Sequence, residues 1–399
     1  MLTITSYVHR QELCEVIRRW LSGELWTQDA ELVGRLINFN NVYVSRYMRR
    51  LAGELFQALH GPSLYARHVR VKRELKDVLV ERPHYLGPRI EELIQDYRAQ
   101  PERFYGETPF HGTLYFLGSG AAARYAGSSR IKRIRRLAEK AARLIIDAFF
   151  QAIQADARAM AERRARLLGV APQQLLTPPA QMEEEFLQAE SHIIAEIRQG
   201  YPLLGREGVT INDVAGIKVI LEDAEQERLQ EVLQRHGRCE IIEEERYEGN
   251  YRATNLLIRY RPPREELLAE PLSEEVLAVL KRRGMMAPQA NAAFAEFVLT
   301  AEEAVRLEII VSSYQDTLES EVGRCMHEDR IIAQRHRQPY RSFLAKNIEY
   351  LMEYLFTLPA SSVLKLPELP IKLWNRYLAD YFDSVLKELF HIPTVDILD

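Results

Sequence analysis

The chain is poor in cysteine and has no long hydrophobic run. Its three cysteines, Cys14, Cys239 and Cys325, are far apart and form no Cys-x-x-Cys pair. That excludes a disulfide framework and a zinc knuckle, and it fits a reducing cytoplasm. No stretch approaches the roughly 18 apolar residues a membrane-spanning helix needs, and residues 1–12 lack an apolar signal core, so neither secretion nor membrane insertion is expected. The Gly-x-x-x-x-Gly-Lys-Ser/Thr loop and the Gly-x-Ser-x-Gly elbow are both absent, which argues against P-loop nucleotide hydrolysis and α/β-hydrolase chemistry. The ten histidines are scattered; His327 and His336 flank a basic stretch at a spacing that suits no common zinc motif. No internal repeat or low-complexity tract occurs.

What is present is ordinary globular composition. The 399 residues are 47% hydrophobic and 28% charged, enough for two or three domains with real cores. The net charge of −4 gives no general attraction to nucleic acid or anionic membrane, so any phosphate affinity must come from local basic clusters.

The first 170 residues read mainly as helix. Leu13 to Leu21 and Ala30 to Leu59 carry apolar residues three and four apart, with a break at Gly61-Pro62, and Ile134 to Leu168 is the longest such pattern. Its stripe of Ile134, Leu137, Ala141, Leu144 and Ile145 reads as core, with a dense arginine face opposite. Residues 169–180, with Pro172, Pro178 and Pro179, break the pattern, and the best domain boundary is a linker at 171–180. Met182 to Arg198 follows as a charged amphipathic helix.

Residues 211–260 carry the most information. Val214 to Leu221 is apolar and β-branched, as a buried strand is; Leu256 to Tyr260 repeats the character, and Arg306 to Val311 supplies a third strand. Glu222 to Arg235 has helical spacing between the first two. This order predicts a mixed α/β sheet. Asp213 and Glu308 then stand at the mouths of apolar strands, where a carboxylate is exposed, paired or bound to a cation. Taken singly, Asp213 also reads as a turn cap, Glu308 as an edge-strand carboxylate and Tyr251 as a half-buried aromatic.

Together these residues resemble the synthetase domain of the RelA/SpoT family, whose members move pyrophosphate from ATP to the 3′ hydroxyl of a guanosine nucleotide. The segment Asp213 with Gly216-Ile217-Lys218 is similar to the family's Asp followed by a Gly-Ile-Arg-type strand. Tyr251 matches its Gly-Tyr turn, and Glu308-Ile309-Ile310-Val311-Ser312-Ser313 matches its Glu strand. The likeness covers roughly 205–330. It implies an α+β fold: a helical N-terminal region over 1–170, a central mixed-sheet nucleotidyltransferase-like domain over 181–330, and a helical C-terminal extension over 331–399. It also implies ATP and a guanosine nucleotide as substrates and Mg2+ held by Asp213 and Glu308, with Glu308 drawing the proton from the attacking hydroxyl. Tyr251 would stack on the acceptor base, with Lys218, Arg252 and Asn255 as further nucleotide-binding candidates. A homo-oligomer and a tRNA acceptor stay open, the latter because arginines line 130–166.

The chain departs from the family in two places. Ala253 and Asn255 replace the Ser and His of the Gly-Tyr turn, and residues 198–207 lack the Arg-x-Lys-x-x-x-Ser-x-x-Lys run that grips the donor phosphates. Gly127-Ser128-Ser129-Arg130-Ile131-Lys132-Arg133-Ile134-Arg135-Arg136 offers a displaced substitute, with Arg130 and Lys132 as candidate phosphate ligands; it also reads as a solvated basic face. Leu114 to Ala123 looks like a strand ending in a small-residue turn, without the βαβ context of a dinucleotide site. Further on, Ser273 is expected to cap a helix, Phe294 to Leu299 to form a strand, Thr300 with Glu303 to form a capping box, and Tyr340 to Phe356 and Leu373 to Phe390 to be helical.

Overall fold

The structure is a computed structural model that describes residues 2–118, 120, 123–199, 208–222, 225–249, 251–336 and 340–393. Residues 200–207, where the sequence lacks the donor-gripping run, lie outside them, as do Asn250 and three residues of the 114–123 stretch.

A seven-stranded mixed sheet organises the fold. Strand β1 (Leu2–Ile4) stands apart, paired in parallel with β5 (Val209–Ile211). The large sheet uses β2 (Leu64–Val71), β3 (Pro109–Leu117), β4 (Arg124–Ile131), β6 (Ala215–Ile220), β7 (Cys239–Tyr247), β8 (Ala253–Tyr260) and β9 (Val305–Ser312). Their spatial order is β2-β3-β4-β6-β9-β8-β7. Only β6 and β9 are parallel; every other pair is antiparallel.

This corrects the expected division of the chain. The region read as a helical domain over 1–170 supplies β2, β3 and β4, and β4 pairs with β6 across the expected linker. These strands are studded with arginine, histidine, serine and glycine, so their period-two signal is weak beside the long helices around them. The segment 171–180 is the turn of a hairpin between helices Ile134–Leu168 and Pro179–Arg198. The first of these helices ends at Gly169, whose φ of 70° supplies the left-handed C-cap that other residues resist.

Other boundaries also move. Phe294 to Leu299 belongs to a helix, Ala287–Leu299, which Pro288 starts and alanines fill; a short apolar run does not separate the two states. Thr300 is that helix's C-cap, and β9 rather than a new helix follows, so the Thr300–Glu303 capping box does not form. The last helix is shorter, Ala379–Leu389. Ser273 does cap its helix, accepting from the Val276 amide at 3.5 Å. The glutamate-rich edge strand β7 gives no strand signal in the sequence, because one face of an edge meets water and charges there discourage edge pairing.

Two hydrophobic layers cover the sheet. One face packs on helix Asp29–His60, whose Tyr43, Tyr47, Leu51, Leu55 and Phe56 are fully buried. The other face carries a smaller cluster in which Leu114, Phe116 and Ile220 meet Leu75, Leu79, Leu93 and Tyr314. That second cover is partial, and where it stops the sheet floor opens into a cleft. Among the described residues no helix is long and apolar enough to cross a membrane.

Candidate functional site

The cleft begins with a backbone irregularity. In the β3–β4 pair, Tyr115 faces Gly127 and Phe116 faces Tyr125, so an extra residue is bulged out at Ala126. A one-residue shift reverses the faces of the remaining strand. It places Ser128 and Arg130 on the same face as Tyr125. Gly127 has φ 154°, and a Cβ there would strike the Lys218 carbonyl oxygen and the Phe56 ring; only glycine fits.

Beyond the bulge, Arg130 pairs with Gly216, and Gly216 with Glu308. Three adjacent strands thus present a guanidinium, an empty position and a carboxylate on one face. A Cβ at Gly216 would meet only the Glu308 carbonyl oxygen, at 3.6 Å, so the floor there is open. A strand glycine of this kind marks close approach by a ligand or another backbone.

Asp213 sits just before β6, at the rim. Lys132 Nζ donates to its Oδ2 at 2.7 Å, and Lys140 Nζ lies 2.7 Å from Oδ1 in a close ion pair that is not an aligned hydrogen bond. Lys132 follows β4 directly, and Lys140 comes from helix Ile134–Leu168. Burial raises the Asp213 carboxyl, but the two ammonium groups outweigh it and hold the group well below the usual carboxylate range. Burial pushes Lys132 down to about 8, against the pull of Asp213. Glu308 moves the other way: burial and then the Asp213 charge raise it, opposed by Arg130, Lys140 and Lys132. Among the described residues Glu308 has no hydrogen-bond or ion-pair partner.

The cleft holds about 680 Å³ and is lined by eleven lysine and arginine side chains but only five carboxylates. Of the cations, Arg130, Arg133 and Arg330 make no ion pair among the described residues. His327 lines the wall and stays neutral: burial, then Arg130 and Lys72, push it down to about 2.

The sequence-predicted residues therefore fall into three groups. Arg130, Lys132 and Asp213 line one cleft, and Glu308 stands on the same sheet face as Arg130, beyond the residues that line it. Lys218 and Tyr251 meet each other, the ammonium 5.7 Å from the ring centre, further along the same sheet face. Arg252 is held at Asp316, its backbone amide donating to Oδ1 at 3.2 Å and its guanidinium 4.0 Å from Oδ2. Asn255 lies beside Ile310 on β8, its Oδ1 buried without a partner. The sequence reading missed Lys140, Arg330 and His327. Lys140 had a usable signal, since it follows Arg130 and Lys132 on the helix they lead into.

Magnesium held jointly by Asp213 and Glu308 does not fit this arrangement. Both Asp213 oxygens are engaged by ammonium groups, and a divalent ion would first have to displace them; no group of three metal-ligating side chains occurs among the described residues. No family model, curated protein or solved structure matches this chain.

Proposed function

We propose that the cleft binds the polyphosphate of ATP and transfers its terminal pyrophosphate to a nucleotide 3′ hydroxyl, in the manner of the RelA/SpoT-like synthetases the sequence resembles. The convergence of Arg130, Lys132 and Lys140 around Asp213, with an unpartnered Glu308 on the same sheet face, carries this reading. The phosphates would lie against Arg130 and the two lysines, which supply charge-assisted donors. The acceptor would approach along the floor above Gly216, its base toward Tyr251. Glu308, with its raised pKa, suits a general base: it takes the hydroxyl proton as the oxygen bonds to the β-phosphorus. The bond between the α- and β-phosphoryl groups breaks, and AMP leaves with the electron pair.

The test is to incubate the protein with ATP labelled in its β-phosphate, magnesium and GDP, GTP or tRNA as acceptor. Label should pass to one acceptor and fail to pass in Glu308→Gln; no labelled product with any acceptor would overturn the activity. A nucleotide-sensing module is the second reading, favoured by the engagement of Asp213 with lysines and by Ala253 and Asn255 at the family's Ser and His positions. It is distinguished by ATP binding in calorimetry without turnover.

A further inference from the structure

Helices Ile134–Leu168 and Pro179–Arg198 form a hairpin with almost no core of its own. Between Ile153 and Ala189 only Ala165 is fully buried among the described residues. Two helices packed this thinly gain little from tertiary burial, which supplies most helical stability in proteins. The hairpin's tip is apolar and open to solvent: Leu167 is 88% and Leu176 95% exposed, with Leu168, Val170 and Met182 around them. Its base holds a hollow of about 520 Å³ walled by Phe150, Phe186, Tyr340 and Phe343, with exposed Leu187 at its mouth. We propose that this hairpin is the interface of a two-fold dimer of the chain, the apolar tip of each copy seated in the aromatic hollow of the other.

Tip and hollow cannot meet within one chain. Phe150 and Leu168 lie on one continuous helix, roughly 27 Å apart at 1.5 Å per residue. Two hairpins laid antiparallel about a two-fold axis put each tip over the other's hollow, so both contacts form together and the assembly closes. Four helices then share a core that two could not build. The charges agree with this pairing. Glu183 and Glu184 are exposed beside Met182 at the tip, and Arg341 and Arg376 are exposed at the rim of the hollow; none of the four forms an ion pair among the described residues. The one carboxylate in the hollow, Glu190, is tied to the Tyr340 hydroxyl. The tip also carries exposed Arg163 and Arg166, and such mixed charge suits a protein surface better than an anionic bilayer. Lys140, at the basic cleft, lies roughly 40 Å along the same helix from Leu167, so pairing leaves both clefts open and does not depend on what they bind.

Sedimentation of the full-length protein tests the pairing. Wild type should dimerise at micromolar concentration, and Leu176→Asp should weaken the dimer about 30-fold or more, the effect of one central interface residue. Two charge variants separate the two halves of the contact: Glu183→Arg with Glu184→Arg at the tip, and Arg341→Glu with Arg376→Glu at the hollow. Each alone should be largely monomeric, since like charges then face each other at both contacts. Mixed in equal amounts they should form a heterodimer, because every tip again meets a hollow of opposite charge, and misfolded chains would not recover in this way. A wild type that stays monomeric at all concentrations overturns the proposal, as does a dimer indifferent to Leu176→Asp or a mixture that fails to pair. Flotation of a monomeric wild type with phosphatidylcholine and phosphatidylglycerol vesicles would also overturn it, by assigning the tip to a membrane surface.

Discussion

Lys132 Nζ donates to Asp213 Oδ2 at 2.7 Å although 81 residues separate them in the chain. The intervening segment is largely a helical hairpin, and it returns to the sheet at β6, next to the strand it left. The fold thus brings a basic cluster and a carboxylate from either side of an insertion to one rim.

Arg130 faces the cleft without an ion-pair partner, so its removal breaks no ion pair and should act chiefly on ligand binding. Arg130→Ala is expected to weaken ATP affinity by about 10- to 100-fold, the equivalent of one or two charge-assisted bonds. Thermal stability should stay near wild type. Calorimetric titration with ATP checks this; wild-type affinity would remove Arg130 from the phosphate site.

Gly216 keeps the floor between Arg130 and Glu308 clear. A valine there suits a strand and has room at its Cβ, so Gly216→Val should fold. Its branched side chain stands over the floor and is expected to lower nucleotide affinity about tenfold, or about 1.4 kcal/mol. A variant that binds ATP as wild type does would show that the ligand does not use this floor.

His327 gives the fold an acid limit. Unfolded, its imidazole takes a proton below about 6.5, while in the fold burial and nearby Arg130 and Lys72 delay protonation to about 2. The unfolded state therefore binds more protons between these values, and stability falls as pH drops below 6.5. Urea midpoints at pH 7.5 and pH 5 should differ more for wild type than for His327→Gln. Equal differences would mean that other groups set the acid limit.

Asp29 is fully buried and is the partner of the Arg19 guanidinium; it also accepts from Trp20 Nε1 at 3.0 Å and the Trp26 amide at 3.1 Å. Asp29→Ala leaves Arg19, 2% exposed, with only a distant carboxylate, Glu15 at 3.8 Å. The expected cost is about 3–5 kcal/mol, read as a lower urea midpoint. Replacing Arg19 and Asp29 together by apolar residues of similar volume should restore much of it.

Much of the secondary structure was legible because the signals are local. Helices Asp29–His60 and Ile134–Leu168 show their apolar spacing over many turns, and β6, β8 and β9 each carry a fully buried apolar face rich in Ile, Val and Leu. Strands β2, β4 and β7 were not legible, since each has a polar or exposed face and its stability comes from pairing with distant segments. The alanine-rich helix Ala287–Leu299 was misread where its apolar end, Phe294 to Leu299, is short enough to suit either state.

By itself the sequence determined the central strands, the long helices and the residue types of a basic cleft, because hydrophobic periodicity and charge are properties of neighbouring residues. Only the tertiary structure decided that residues 64–131 and 215–312 share one sheet. It also decided that the bulge at Ala126 turns Arg130 toward Glu308, and that Asp213 meets two lysines rather than open solvent. Those outcomes depend on strand register and on which segments pair across long loops, and neither is written in any local window of the chain.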